Sequence, residues 1–186
     1  MDKQVTKAKL IELLRKIDST LDETVVLVAI GGTALSLLDL KEATHDVDFI
    51  LQNNSQYIKG DLTLKILDSG YDVQIQDQGK IVLFRLPPDY LALAKPSEIN
   101  SLFSNLQVYI LSPIDLLVSK LSRYNTKDYF DINALLLRYR FTIEEIKNRY
   151  GQYQLLYKGD LKKLDMNFAT FEKQYAETMK SLGKAH

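Results

Sequence analysis

Cysteine is absent from these 186 residues, which excludes disulfides, thiolate metal sites and a cysteine nucleophile. Histidine is nearly absent. Of the two present one is the terminal His186, so a histidine-rich zinc site is excluded as well. Proline (4) and glycine (8) are scarce, and a chain of this composition is globular rather than disordered. Neither sign of charge is in excess, with 24 Lys and Arg against 24 Asp and Glu, so no global field calls for a nucleic acid. The balance hides a small asymmetry. Residues 1–111 hold 11 basic and 15 acidic side chains and residues 112–186 hold 13 and 9, a difference ordinary for solvated surface. No apolar run approaches the length of a membrane span, and Met1-Asp2-Lys3-Gln4 lacks the apolar core of a signal peptide. The expected location is cytoplasmic, with no membrane partner. The length suits one large domain or two small ones, with a real core.

The apolar residues that are present carry a clear pattern. Leu10, Ile11, Leu13, Leu14 and Ile17 recur at helical spacing over residues 7–18. Val25–Ile30 reads as a buried strand, and Thr33–Leu40 as a short buried helix with Gly31-Gly32 at its start. Lys41–Thr44 is expected to be a polar connector into a strand Asp46–Leu51. A second helix is expected from Asn53 to Ser69, ended by Gly70. Tyr71–Gln76 and Lys80–Leu86 flank Asp77-Gln78-Gly79, which predicts a β-hairpin closed off by Pro87-Pro88. Residues 89–105 give no clear signal, and Leu106–Leu111 reads as a last strand. After Ser112-Pro113, an N-cap followed by proline at the first helical position, helices are expected near 113–124, 127–139, 142–154 and 162–182. The expected fold is α/β (α+β), a mixed sheet of about four or five strands flanked by helices, over 1–111, with a helical C-terminal region over 112–186. The many tyrosines on those helices, Tyr124, Tyr129, Tyr139, Tyr150 and Tyr153 among them, fit half-buried core positions better than an interaction surface.

Chemistry concentrates in two short motifs. Gly31-Gly32-Thr33 follows the first strand, and His45-Asp46-Val47-Asp48-Phe49-Ile50 begins eleven residues later. Side chains of a strand alternate faces, so Asp46 and Asp48 point the same way, and adjacent like charges repel. A hard divalent cation resolves that conflict, Mg²⁺ being the natural choice. The bland alternatives are an ordinary glycine turn and a solvent-facing pair on an edge strand, and the apolar Phe49-Ile50-Leu51 weakens the second. His45 is expected to be a neighbour of the site rather than a catalyst.

Strand, Gly-Gly-Thr turn, short helix and a strand carrying Asp-Val-Asp together resemble the nucleotidyltransferase superfamily that includes DNA polymerase β. The resemblance implies a nucleotidyltransferase-type fold. It also implies a nucleoside triphosphate as ligand, its phosphates against the backbone of Gly31 and Gly32 and the hydroxyl of Thr33, and Mg²⁺ on Asp46 and Asp48. Glycines admit close approach to backbone N–H groups, and a helix start adds partial positive charge. A second stretch, Leu111-Ser112-Pro113-Ile114-Asp115-Leu116 through Lys120-Leu121 and Arg123 to Lys127-Asp128-Tyr129-Phe130-Asp131-Ile132, looks similar to small prokaryotic nucleotidyltransferase-like proteins related to abortive-infection toxins of the AbiEii type. On that resemblance Lys120, Lys127 and Asp128 lie near the nucleotide. The alternative reading is a solvated helix start with Asp128 serving the helix dipole.

One departure matters. Members of the superfamily usually add a third carboxylate from a later strand, and Lys80–Leu86 offers none. Asp89, just beyond Pro87-Pro88, is the first substitute and Asp72 the second. Two functions from different classes therefore stand. One is transfer of a nucleotidyl group to a hydroxyl acceptor (tRNA, a protein or a small molecule). The other is a catalytically degenerate binding module, as in a toxin–antitoxin or defence system, with a cognate antitoxin or a second copy of the chain as partner.

Overall fold

The computed structural model describes residues 4–52, 56–77, 79–81 and 84–183. The expected helix start at Asn53–Ser55, the turn residue Gln78 and part of the Lys80–Leu86 strand lie outside the described residues. The chain divides into two compact units. One comprises Met1–Ile81 with Pro88–Ser112, the other Val82–Pro87 with Pro113–His186.

The first unit contains strands β1 (Val5–Thr6), β2 (Val25–Ala29), β3 (Ala43–Thr44), β4 (Asp46–Leu51), β5 (Asp72–Gln76) and β6 (Lys80–Ile81), with helices α1 (Lys7–Asp18), α2 (Gly31–Leu37) and α3 (Gln56–Asp68) between them. Strand β7 (Phe84–Arg85) belongs to the second unit, and the first resumes with α4 (Tyr90–Leu93), β8 (Lys95–Pro96), a 3₁₀ turn (Glu98–Leu102) and β9 (Leu106–Ile110). Five strands form one mixed sheet in the order β5-β4-β2-β9-β8. Strand β2 is central, antiparallel to β4 and parallel to β9. It is flanked on both sides and reads as the near-continuous apolar run Val-Val-Leu-Val-Ala for that reason. Helix α1 is capped by the Thr6 hydroxyl, which accepts from the Lys9 N–H at 3.4 Å, and buries Leu10, Leu13, Leu14 and Ile17. Each such side chain contributes about 1.5–3 kcal/mol by leaving water. Helix α3 buries Ile58, Leu62 and Ile66.

Two expectations are corrected. Tyr71–Gln76 is not one arm of a hairpin within the sheet, because β5 pairs in parallel with β4. A parallel pair needs a crossover, and the thirteen residues of α3 supply it. Alternation along 71–76 reports a half-buried strand but not its neighbour. Lys41–Thr44 is more than a connector, since Ala43 and Thr44 pair with Thr6 and Val5. Burial of Val5 and Thr44 explains that short ladder.

The second unit is helical as expected, with α5 (Pro113–Lys120), α6 (Thr126–Tyr139), α7 (Ile143–Leu156) and α8 (Leu161–Gly183). Capping boxes start α6 (Asn125 with Asp128) and α7 (Thr142 with Glu145). Asp115, in the first turn of α5, is fully buried. It receives Arg149 Nε at 2.6 Å, Arg149 Nη2 at 2.9 Å and the Tyr153 hydroxyl at 2.9 Å, which pins α7 to α5. No helix among the described residues is long and apolar enough to cross a membrane.

Two polar anchors yield stability predictions. Asp115→Ala strands the Arg149 cation without its carboxylate and should cost about 3–5 kcal/mol in urea unfolding, the usual penalty for halving a buried pair. In the first unit the Asp18 carboxylate accepts the backbone N–H groups of Ser104, Asn105 and Leu106 at 2.7–3.2 Å. Burial raises its pKa, but those three N–H groups outweigh it and hold the carboxyl below its ordinary value. A depressed carboxyl stabilises the fold above its unfolded pKa, and that stability is lost as pH falls through the folded value. Asp18→Asn should therefore lower stability by about 1–3 kcal/mol at neutral pH and shrink the difference from the parent chain in acid, as followed by thermal melts across pH.

Candidate active site

The site is built where β2 ends and β4 begins. Ile30, one residue past β2, donates its N–H to the Asp48 carbonyl at 3.2 Å, so the antiparallel pairing of β2 and β4 runs up to the glycines. Gly31 then adopts φ +56°, a backbone that L side chains rarely take. A Cβ there would also lie 2.7 Å from Asp48 Oδ2. Only glycine allows the turn and the carboxylate to come this close. Gly32 is equally constrained, because a Cβ on it would collide with the Thr44 hydroxyl.

Thr33 is turned inward. Its side chain is fully buried, and its hydroxyl accepts from the Asp48 N–H at 2.9 Å and donates to the Asp46 carbonyl at 3.3 Å. It clamps the first turn of α2 to the backbone of β4 at the residues that carry the carboxylates. The residue expected to meet a phosphate thus makes a positioning contact with the backbone of β4. Thr44, which sequence reasoning passed over as part of a connector, orients one carboxylate directly. It is 3 % exposed, and its hydroxyl donates to Asp46 Oδ1 at 3.1 Å.

Asp46 and Asp48 alternate with buried Val47 and Phe49, so they share one face of β4 and are half-buried. On the neighbouring strand Asp72 is in register with Asp46, and Gln74 with Asp48. Side chains at paired positions point to the same face, which puts Asp72 and Gln74 beside the aspartate pair at the edge of the sheet. Both are exposed. Among the described residues no group of three or more histidine or acidic side chains is close enough to hold a metal ion.

Asp89 lies elsewhere in the first unit. It precedes α4, whose Tyr90 hydroxyl donates to Gln52 Oε1 at 2.8 Å and accepts from the Gly79 N–H at 3.2 Å. Gln52 follows the end of β4, whereas Asp46 begins it. At about 3.3 Å per residue the two are about 20 Å apart. The anchor of α4 is therefore at the far end of the strand from the carboxylates. Asp72, the second candidate from the sequence, is in register with Asp46, a neighbour that the hairpin reading did not give.

The remaining expected ligand residues belong to the helical unit. Lys120 is buried, its Nζ 2.6 Å from Asp131 and 3.7 Å from Asp128. Asp128 also accepts from Arg123 at 3.1 Å and closes the capping box that starts α6. Within that unit the pair serves the α5–α6 junction. Lys127, next to Asp128 in sequence, is exposed.

Residues 8–180 match the family model described as "Nucleotidyltransferase of unknown function (DUF6036)". No curated protein gave a match.

The geometry predicts how the site breaks. Gly31→Ala imposes a strained φ and a clash with Asp48, and should cost about 1–3 kcal/mol in thermal unfolding. Thr33→Val keeps the shape and removes the clamp. It should cost about 1–3 kcal/mol and speed hydrogen exchange at the Asp48 amide, and an unchanged exchange rate there would refute the clamp.

Proposed function

Because the chain belongs to this nucleotidyltransferase family, we propose that it transfers a nucleoside monophosphate from a nucleoside triphosphate to a hydroxyl-bearing acceptor. The observation that carries the reading is the close approach of Gly31 to Asp48, with two aspartates on one strand face beside a side-chain-free turn. Such a turn lets phosphate oxygens approach backbone N–H groups, and the first turn of a helix leaves those groups without internal partners. In the reaction the acceptor oxygen attacks the α-phosphorus, the bond to the bridging oxygen breaks, and pyrophosphate leaves.

A divalent metal is implied by the chemistry, and the residues fit it. Two carboxylates are hard oxygen donors. The missing Cβ at Gly31 lets Asp48 Oδ2 lie against the turn backbone, which sets carboxylate and turn side by side, and Mg²⁺ binds through one or two carboxylates together with phosphates and water. Asp46 and Asp48 would hold it, and when bound it supplies charge stabilisation to the phosphates. The chain's own residues do the rest. Thr44 fixes the rotamer of Asp46, and Thr33 fixes the strand. Asp72, in register beside Asp46, supports the reading as the group that takes the proton from the acceptor hydroxyl, ahead of Asp89. Acceptor identity stays within hydroxyl-bearing RNA, protein or small molecule, and the proposed location is the cytoplasm.

A second reading, a degenerate binding module of the kind found in toxin–antitoxin or defence systems, is favoured by the lack of a three-carboxylate cluster among the described residues. One set of variants separates the two. The double variant Asp46→Asn, Asp48→Asn should abolish Mg²⁺-dependent nucleotide binding in calorimetry while the fold persists. Asp72→Asn should lower transfer of labelled nucleotide by about 10²–10⁴-fold with little change in affinity, and Asp89→Asn should leave it near the parent rate. Binding without any labelling of RNA, protein or small hydroxyl compounds would establish the module. Binding indifferent to the Asp46–Asp48 pair would overturn both.

A further inference from the structure

The five-stranded sheet has two edges, and they are built differently. The β8 edge is two residues long, Lys95–Pro96, and both a lysine and a proline are standard protection against a further strand. The β5 edge is five residues long, Asp72–Gln76, with neither lysine nor proline, and among the described residues its one partner in the sheet is β4. An edge of ordinary strand length without such protection is a template for another strand.

From this edge we propose that the chain forms a homodimer in which β5 pairs antiparallel with β5 of a second copy, joining the two sheets. The sequence is self-complementary in one register. Centred on Gln74, it sets Asp72 against the second copy's Gln76, Val73 against its Ile75, Gln74 against its own counterpart and Tyr71 against Asp77. Asp72 meets a neutral amide able to donate a hydrogen bond, Asp77 is already neutralised by Lys59 and Lys80 of its own chain, no like charges face each other, and the apolar pair meets on the face that β5 buries. A slip of one residue would turn the second copy's buried face to the opposite side. A slip of two would leave part of the five-residue strand without a partner. Helix α3, which packs on β5, leaves Leu64 (62 %) and Leu67 (46 %) exposed, apolar surface on the same side of the joined sheet. A two-fold interface of this form is closed and isologous. It also brings the second copy's Gln76 amide beside Asp72. That last placement bears on the proposed chemistry, whereas the pairing does not depend on it.

The absence of cysteine makes the test direct. Gln74→Cys introduces a single thiol at the two-fold axis, where paired Cβ atoms are about 4.5–5.5 Å apart, close to disulfide reach. Oxidation should give a covalent dimer quickly, while Leu155→Cys, on an 87 % exposed residue of α7, should cross-link slowly. In sedimentation velocity the parent chain should be dimeric. Gln74→Lys and Gln74→Glu, each setting like charges opposite one another, should weaken the dimer by about tenfold or more. Mixing those two variants should restore it as a heterodimer, an outcome peculiar to a register in which residue 74 meets itself. A monomeric parent chain, a dimer unaffected by both charge variants, or equal cross-linking at residues 74 and 155 would each overturn the proposal. A dimer that binds no nucleotide would retire the proposed function and leave the interface standing.

Discussion

The contact on which the candidate site depends is the Thr33 hydroxyl, placed between the start of α2 and the start of β4. It accepts from the Asp48 amide and donates to the Asp46 carbonyl, and it is fully buried while doing so. A buried hydroxyl with both partners satisfied is rigid, and an unmade bond there would be costly. The clamp sets the spacing between the glycine turn and the strand. That spacing in turn excludes any Cβ at Gly31, because Asp48 Oδ2 occupies the place. Glycine, threonine and aspartate are therefore three parts of one steric solution.

Around this clamp the sheet performs a second task. Its central strand has a paired neighbour on each side, and on the face of the aspartates polar side chains stand on β4, β5 and β9, the last contributing Gln107 and Tyr109. Asp46 and Asp48 share a face of β4, and Asp72 stands at the position paired with Asp46 on the next strand. The aspartates stand at the half-exposed start of a strand whose remaining residues are apolar and buried. Charge-bearing residues of the helical unit are handled in the opposite way. Asp115 with Arg149, and Lys120 with Asp131 and Asp128, are buried and matched, and they join helices. Equal numbers of acids and bases in the whole chain thus conceal two distinct uses of charge.

Much of this was legible in the residues alone. Helical periodicity located α1 and α5–α8 to within a few residues, because an amphipathic or capped helix is specified by neighbours three and four positions away. The meeting of the Gly31-Gly32 turn with the strand of Asp46 and Asp48 was legible because a side-chain-free turn and two acids inside an apolar strand stand out from their surroundings. Residues 89–105 were not legible. Their elements are two to five residues long and are held by long-range bonds, such as Tyr90 to Gln52, that leave no local pattern.

What the sequence determined by itself is the local grammar: which segments are strand or helix, where a turn must be glycine, and that Asp46 and Asp48 share a face. Period-2 and period-3.6 patterns act within one element, and such statements need nothing else. What only the tertiary structure decided is adjacency. It turned the expected hairpin arm 71–76 into a parallel neighbour of β4 and so brought Asp72 beside Asp46. Thr33 became a clamp, Thr44 gained its carboxylate, and Asp128 was engaged in a cap and an ion pair. Adjacency is set by which buried faces can pack together across long stretches of chain, and no window of sequence contains both partners.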